Sequence, residues 1–90
     1  MHFLLFYETI PDYLEKRQPH RSAHFDYLKK SKAAGHLKMG GAYANPSNGA
    51  ALVFECDVIE IVQQFAKNDP YVRNGLIKKW EVREWTVVDI

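Results

Sequence analysis

Two residues of this chain have the chemistry of a proton-transfer site, a histidine and an aspartate that lie far apart in sequence. His24 recurs with Tyr27 and Leu28 at helical spacing, and histidine readily gives or takes a proton near neutral pH. A partly buried histidine with a satisfied hydrogen bond has the same pattern, so spacing alone leaves both interpretations open. Asp69 comes directly before Pro70, which disfavours the helical conformation at the residue it follows. Taken by itself, Asp69 is better interpreted as a residue that ends a helix than as a catalytic one.

Further polar and aromatic residues are candidates for binding a ligand. Arg21 lies one helical turn before the candidate histidine, where a guanidinium could hold a carboxylate in a bidentate contact. A salt bridge on the surface or between subunits explains it equally well. Gly40 and Gly41 lie in a predicted strand, where glycine indicates a bulge or a close approach of the backbone to a ligand or a helix. Tyr7 and Tyr71 could line a pocket, although aromatic residues more often belong to the core.

Metal and cofactor chemistry find little support in the sequence. His20 and His24 are four residues apart and could both face a metal ion, but no third ligand with helix-compatible spacing is evident. Cys56 is the only cysteine, so no disulfide forms within the chain and the residue is interpreted as a small core side chain. No phosphate loop or dinucleotide fingerprint is present, since two adjacent glycines lack the necessary context. We therefore expect neither a metal nor a cofactor.

The composition predicts one small globular domain over residues 1–90. Hydrophobic residues make up 47% of the chain and aromatics 13%, which is enough for one packed core. The formal net charge is +1, and the basic residues are scattered, so the electrostatic footprint of a nucleic-acid binder is absent. We find neither an apolar run of membrane-spanning length nor a signal peptide. A lone cysteine and no leader favour a cytoplasmic location and no membrane partner.

The elements that must position these residues follow from the hydrophobic pattern. We predict strands over residues 3–7, 37–44, 50–56 and 80–88, a helix from 20 to about 34, a second helix from 57 to 70, and an irregular or single-turn segment over 12–18. Pro19 suits the first turn of the first helix and Gly35 its end. Asp57 with Glu60 resembles a capping box for the second helix. Strand, helix, strand, strand, helix, strand is the split βαβ order of ferredoxin-like α+β domains.

Two helices can cover only one face of a four-stranded sheet, yet the first strand is apolar on both faces. Phe3, Leu5 and Tyr7 fall on one side and Leu4 and Phe6 on the other, so we predict a strand that is buried on both faces. The last strand likewise has a tryptophan on each side. An uncovered apolar face is expected to find a partner. The simplest partner is a second copy of the chain, which predicts a homodimeric α+β barrel with a pocket between sheet and helices.

Several stretches carry a family resemblance when they are taken in order along the chain. They are Asp12-Tyr13-Leu14-Glu15-Lys16-Arg17, Arg21 with His24, Gly35-His36-Leu37, Gly40-Gly41-Ala42, Phe65-Ala66, Asn68-Asp69-Pro70-Tyr71-Val72, Gly75-Leu76, and Trp80 through Val88. Together they resemble the YciI-like, or YCII-related, proteins over nearly the whole chain. The resemblance implies the dimeric α+β barrel and an active site built on a histidine and an aspartate, here His24 and Asp69.

The resemblance does not imply a particular reaction, because the family is similar in shape to muconolactone isomerases, includes a dehydrochlorinase, and has mostly members without assigned chemistry. Two hypotheses of function follow. In the first, the chain is a cofactor-independent lyase or isomerase. His24 would then be the general acid or base, Asp69 would orient its ring, and the substrate would be a small anionic organic molecule. In the second, the same pocket belongs to a non-catalytic small-molecule binding or accessory module. Either way we expect the two side chains within hydrogen-bonding distance, because the two helices pack side by side on one sheet face.

Overall fold

A computed structural model describes residues 1–90 as a four-stranded sheet with its helices packed against one face. In chain order the elements are β1 (His2–Thr9), α1 (Tyr13–Lys16), a 3₁₀ helix (Gln18–His20), α2 (Arg21–Ala33), β2 (Leu37–Ala42), β3 (Gly49–Glu55), α3 (Ile59–Asn68), α4 (Pro70–Arg73) and β4 (Ile77–Trp85). The strand order is β2-β3-β1-β4, and every neighbouring pair is antiparallel. The predicted ferredoxin-like α+β fold is thus confirmed. No helix has the length and apolar character to cross a membrane.

The main core lies between the helices and the sheet face that they cover. Because side chains alternate along a strand, β1 directs Phe3, Leu5 and Tyr7 to this face, where all three are buried. The main core cluster consists of Phe3, Leu5, Tyr7, Leu37, Leu52, Phe54, Cys56, Val62, Phe65 and Ala66. A smaller cluster of Tyr13, Tyr71 and Leu76 joins α1 and α4 at one end. The two central strands, β1 and β3, therefore form most of the apolar surface against which the helices pack.

The predicted burial of β1 on both faces is wrong for the single chain. Leu4 and Phe6, which point away from the helices, are only half-buried. Their neighbours on this second face include Val53 of β3, which is also half-buried, and Met39 of β2, which is 68% exposed. We call this second face of the sheet the open face.

The predictions of where helices begin and end were partly confirmed and partly wrong. Gly35 has a φ of 86°, a left-handed conformation that glycine adopts without a steric cost, and it stops α2 as expected. Pro19 lies in the 3₁₀ helix just before α2. The capping box at Asp57 is wrong, because the N-terminal cap of α3 is Val58 in an extended conformation with no side-chain hydrogen bond.

The remaining differences concern where elements begin and end. The irregular or single-turn segment predicted over 12–18 is confirmed, since it contains α1, a helix of only four residues. The strand predicted to reach residue 44 ends at Ala42, and the last strand begins at Ile77 and ends at Trp85. Pro70 does end the second long helix, but it also starts α4, since proline suits the first turn of a helix. This extra short helix matters because Asp69, the residue directly before it, caps its N-terminus and is held in position by that contact.

Candidate active site

Asp69 lies at the break between α3 and α4, and its backbone conformation follows from the residue after it. Pro70 offers no N–H to continue α3 and disfavours the helical conformation before it. Asp69 is extended as predicted, with φ −60° and ψ 127°. Its side chain accepts a hydrogen bond of 2.9 Å from the backbone N–H of Tyr71, which caps α4. The carboxylate is thereby held in place at a position where the residue is 0% exposed.

The Asp69 carboxylate connects α2 to the covered face of the sheet. Its Oδ1 atom lies 2.8 Å from Nδ1 of His24, which α2 directs into the interior. Its Oδ2 atom accepts a hydrogen bond of 2.7 Å from the hydroxyl of Tyr7 on β1. The predicted contact between His24 and Asp69 is therefore confirmed. Tyr7, predicted only to line a pocket, joins them in a buried triad of Tyr7, Asp69 and His24.

The hydrogen bonds of the triad determine which nitrogen of His24 carries the proton. Burial, together with the adjacent Asp69 carboxylate, raises the pKa of Tyr7 above its ordinary value, so the hydroxyl stays protonated and donates. The N–H of Tyr71 is also a donor, so the carboxylate accepts from both. A carboxylate that only accepts requires Nδ1 of the imidazole to be the donor. The other ring nitrogen, Nε2, is then free to act on a ligand.

Tyr71 restrains the imidazole as well as the carboxylate. Its ring stacks on that of His24 with the centroids 3.7 Å apart and the planes inclined by 8°. Burial raises the pKa of Tyr71 to about 12, although the nearby charges of Arg17 and Arg21 act in the opposite direction. The phenol is therefore neutral at physiological pH. One residue thus fixes the plane of the ring and, through its backbone, the position of its carboxylate partner.

His24 opens onto a cavity of about 240 Å³ between the sheet and α2. Nine of the fifteen residues that line this pocket are hydrophobic, among them Leu28, Leu52 and Ile77. A mostly apolar wall with a few polar groups is typical of sites for small organic molecules. The pocket therefore brings one free imidazole nitrogen to the wall of a cavity that suits such a molecule.

Six of the seven site residues that were predicted from the sequence line the pocket, and Asp69 lies behind them. The six are Tyr7, Arg21, His24, Gly40, Gly41 and Tyr71. A Cβ atom on Gly40 would lie 3.1 Å from Cγ of Leu52, so the close approach there is to β3 rather than to a helix. A Cβ on Gly41 would meet nothing within 4 Å. The irregularity in β2 lies between Leu37 and Met39 and not at the glycines.

Two arginines, Arg17 and Arg21, are the permanently charged residues among those that line the pocket. The guanidinium of Arg21 lies 5.0 Å from the ring centre of Phe25, and that of Arg17 lies 5.3 Å from the ring centre of Tyr13. Neither arginine is paired with a carboxylate of the chain, so an intrachain salt bridge does not explain Arg21. Sequence reasoning missed Arg17 as a site residue because it lies between two short helices, where no periodicity assigns a face. The available signal was the family stretch that ends at this residue.

The other groups with metal-binding or nucleophilic chemistry lie apart from the pocket. No three His, Cys, Asp or Glu side chains are close enough together to hold a metal ion. Cys56 is buried in the main core and donates a weak hydrogen bond of 3.5 Å to the carbonyl of Val58. Burial raises the pKa of this thiol, which disfavours the reactive thiolate. The residue is thus a small core side chain, as the sequence predicts.

Comparison with known proteins assigns the family. The model of the YCII-related domain matches residues 1–86. The chain belongs to the YCII-related family. This YCII-related protein is 31% identical over 71 residues to the uncharacterized protein YjpA of Bacillus subtilis (strain 168), a match that covers 74% of this chain and 82% of YjpA. It is 29% identical over 85 residues to an uncharacterized protein of Haemophilus influenzae, with 84% and 87% covered.

Two solved structures share the fold of this YCII-related protein. The 5-chloro-2-hydroxyhydroquinone dehydrochlorinase TftG of Burkholderia phenoliruptrix AC1100, in complex with 2,5-dihydroxybenzoquinone, has a TM-score of 0.82 and 28% identity, covering 96% of this chain and 94% of TftG. Rv0793 of Mycobacterium tuberculosis has a TM-score of 0.57 and 11% identity, covering 99% and 95%. The second likeness concerns the fold alone. TftG, by contrast, is a lyase-type enzyme, and its structure contains a bound small molecule.

Proposed function

We propose that this protein is a cofactor-independent enzyme of the lyase or isomerase type that acts on a small organic molecule. The observation that carries the proposal is the buried triad, which presents one free imidazole nitrogen to an apolar pocket. His24 is the general acid or base of this site. Asp69 fixes its tautomer and orientation, and Tyr7 fixes Asp69. The substrate carries an acidic group, for which Arg21 is a binding partner in the same pocket.

In the proposed reaction, Nε2 of His24 removes a proton from the substrate while Nδ1 keeps its hydrogen bond to Asp69. The imidazolium that forms is stabilised by the buried carboxylate beside it. An isomerase would return this proton at a second atom of the substrate, whereas a lyase would lose a leaving group from the substrate instead. In an elimination the electron pair of the broken bond to hydrogen expels the leaving group, here chloride, and His24 then passes its proton to solvent, so the substrate loses HCl without net oxidation or reduction. Neither course therefore needs a redox cofactor.

The likeness to TftG supports a lyase over an isomerase. TftG is a dehydrochlorinase, it covers nearly the whole chain, and its structure contains a small quinone. A cavity of about 240 Å³ suits a molecule of that kind, since a cavity of roughly 150 Å³ already admits benzene. We therefore take a substituted six-membered ring as the first substrate to test.

We also propose that the protein is a homodimer joined through the open face of its sheet. Leu4, Phe6 and Val53 form an apolar centre there that no helix covers. Along its β4 side the same face carries Lys79, Glu81 and Arg83, which alternate in sign. In a twofold contact that sets Lys79 of one chain against Glu81 of the other, the reverse pair forms as well, so this face can be complementary to a second copy of the chain.

The experiment that tests the enzymatic role is an anaerobic assay of chloride release from 5-chloro-2-hydroxyhydroquinone. We expect turnover by the unaltered protein and a loss of roughly a hundredfold or more in His24→Ala and in Asp69→Asn, which is the usual contribution of a positioned acid or base. Matched controls are His36→Ala and Asp26→Asn, which change the same residue types outside the pocket and should retain turnover.

Two results would contradict this role. Undiminished turnover in the His24 and Asp69 variants would reject the pair as the acid–base machinery. Saturable binding of 2,5-dihydroxybenzoquinone without turnover of the chlorinated compound would favour the non-catalytic binding module.

A further inference from the structure

The pocket wall carries two positive charges, and the one carboxylate nearby, Asp69, lies behind the lining with its oxygens bonded to Tyr7 and His24. Arg17 and Arg21 line it, and no Asp, Glu or Lys does. Both arginines are only half-exposed, and neither has an ion-pair partner in the chain. Cations that converge on a low-dielectric cavity raise the local concentration of anions. The pocket is therefore electrostatically prepared for a negatively charged ligand.

Arg17 adds a second observation, a buried donor without a partner. Its Nε atom is the one buried side-chain nitrogen or oxygen of the chain that makes no hydrogen bond. Leaving a buried donor unpaired costs about 1–3 kcal/mol, and more for a charged group, so native structures rarely keep one without a role. An acceptor supplied by a ligand would satisfy this donor.

Both guanidinium groups are held in place by an aromatic ring. Arg17 lies over Tyr13 and Arg21 over Phe25, at 5.3 and 5.0 Å from the ring centres. Packing of a guanidinium against a ring restrains its plane and leaves the N–H groups at its edge free for an acceptor. The fork of donors matches a group with two oxygens that share a negative charge. The two arginines are thus preorganised for such a group.

We propose that Arg17 and Arg21 form a clamp for a delocalised oxyanion, either a carboxylate or an ionised enol or phenol, on a ligand the size of one substituted ring. Arg17, which the sequence patterns did not single out, is a specificity-determining residue of this clamp. The inference rests on the proposed function, because it names the substrate class of the same pocket. It differs in requiring charge recognition, which can be measured without turnover.

The test is equilibrium binding of three probes by isothermal titration calorimetry. The probes are 2,5-dihydroxybenzoquinone, which is ionised at neutral pH, its neutral analogue 2,5-dimethoxybenzoquinone, and benzoate. We expect Arg17→Gln and Arg21→Gln each to weaken binding of the anions at least about tenfold, because a charge-assisted contact is lost. Affinity for the neutral analogue should be low and the same in all variants. A preference between benzoate and the quinone tells which oxyanion the clamp accepts.

Matched variants separate the clamp from folding defects and from the enzymatic role. Arg73→Gln removes an exposed arginine outside the pocket and should leave anion binding unchanged. Arg17→Lys keeps the charge without the fork and should give intermediate affinity even if the Gln variant unfolds. Asp69→Asn should still bind the anions while it loses turnover. Anion affinity in Arg17→Gln and Arg21→Gln that equals the affinity of the unaltered protein would overturn the clamp alone. Failure of the unaltered protein to bind either anion at millimolar concentration would do the same.

Discussion

The two faces of the sheet differ in how completely the chain covers them. On the helix side, Leu5 and Phe54 are 0% exposed, and the triad of Tyr7, Asp69 and His24 is buried with its hydrogen bonds made. On the open face, at the neighbouring positions of the same two strands, Phe6 and Val53 are half-buried. The difference shows that the chain uses its helices to build one pocket and leaves the second apolar surface uncovered. We accordingly propose that the covered face carries the enzymatic site and that the open face forms the contact between two copies of the chain.

The largest effect is expected on the open face, from the substitution Phe6→Asp. A carboxylate at the centre of the proposed sheet-to-sheet contact would be buried without a partner, so association should weaken by at least about a thousandfold, or roughly 4 kcal/mol. Light scattering at micromolar concentration measures this. Leu14→Asp is the control, because Leu14 is an exposed apolar residue of α1 away from the sheet. A monomeric unaltered protein, or a Phe6→Asp variant that remains dimeric, would contradict the proposed assembly.

Adjacent residues of β3 offer the sharpest comparison of the two faces. In the monomeric Phe6→Asp background, Phe54→Ala should lower the free energy of unfolding by about 3–5 kcal/mol, because it opens a cavity in the main core. Val53→Ala should cost only about 1 kcal/mol or less, since its side chain faces solvent in the monomer. Urea denaturation gives both values. Similar costs at the two positions would mean that the open face is packed within a single chain after all.

A smaller effect is expected from Tyr7→Phe, which removes the hydroxyl that donates to Oδ2 of Asp69. A hydrogen bond to a charged group contributes about 1.5–3 kcal/mol, so the free energy of unfolding should fall by roughly 2 kcal/mol. Tyr43→Phe is the matched control, since that tyrosine is 42% exposed. Turnover should fall less than in Asp69→Asn, because two other contacts still hold the carboxylate. Equal stability of the two tyrosine variants would mean that the hydroxyl does not support the triad.

The smallest effect is a loss of stability at alkaline pH that arises on the covered side. Burial raises the pKa of Tyr27 and of Tyr71 from 10.0 to about 12. The unfolded chain therefore releases these protons first, and the free energy of unfolding decreases as pH rises from 10 towards 12. Urea denaturation over this range should show a shallower decrease in Tyr27→Phe. An unchanged slope in that variant, or tyrosinate absorbance whose midpoint for all tyrosines lies near pH 10.0, would contradict the expected burial.

Most of the fold could be predicted from local patterns. Alternation placed the side chains of β1 on their two faces, and Gly35 marked the end of α2, because both signals act over a few residues. The start of α3 was predicted wrongly at Asp57, because Val58 is still extended, with φ −138° and ψ 147°, and the helix begins only at Ile59. The extra helix α4 was missed because four residues carry too little periodicity to be recognised.

The site divides in the same way between local and tertiary causes. The sequence by itself determined that Asp69 leaves the helix, because Pro70 restricts the backbone next to it, and that His24 lies on an inward stripe of α2. Only the tertiary structure decided that these two side chains meet, 45 residues apart in sequence, and that Tyr7, 62 residues from Asp69, completes the triad. It also decided that the Nε atom of Arg17 is buried without a partner. Such contacts depend on how α2 and α4 pack over β1, and packing sums weak interactions from many residues that no short stretch of sequence contains.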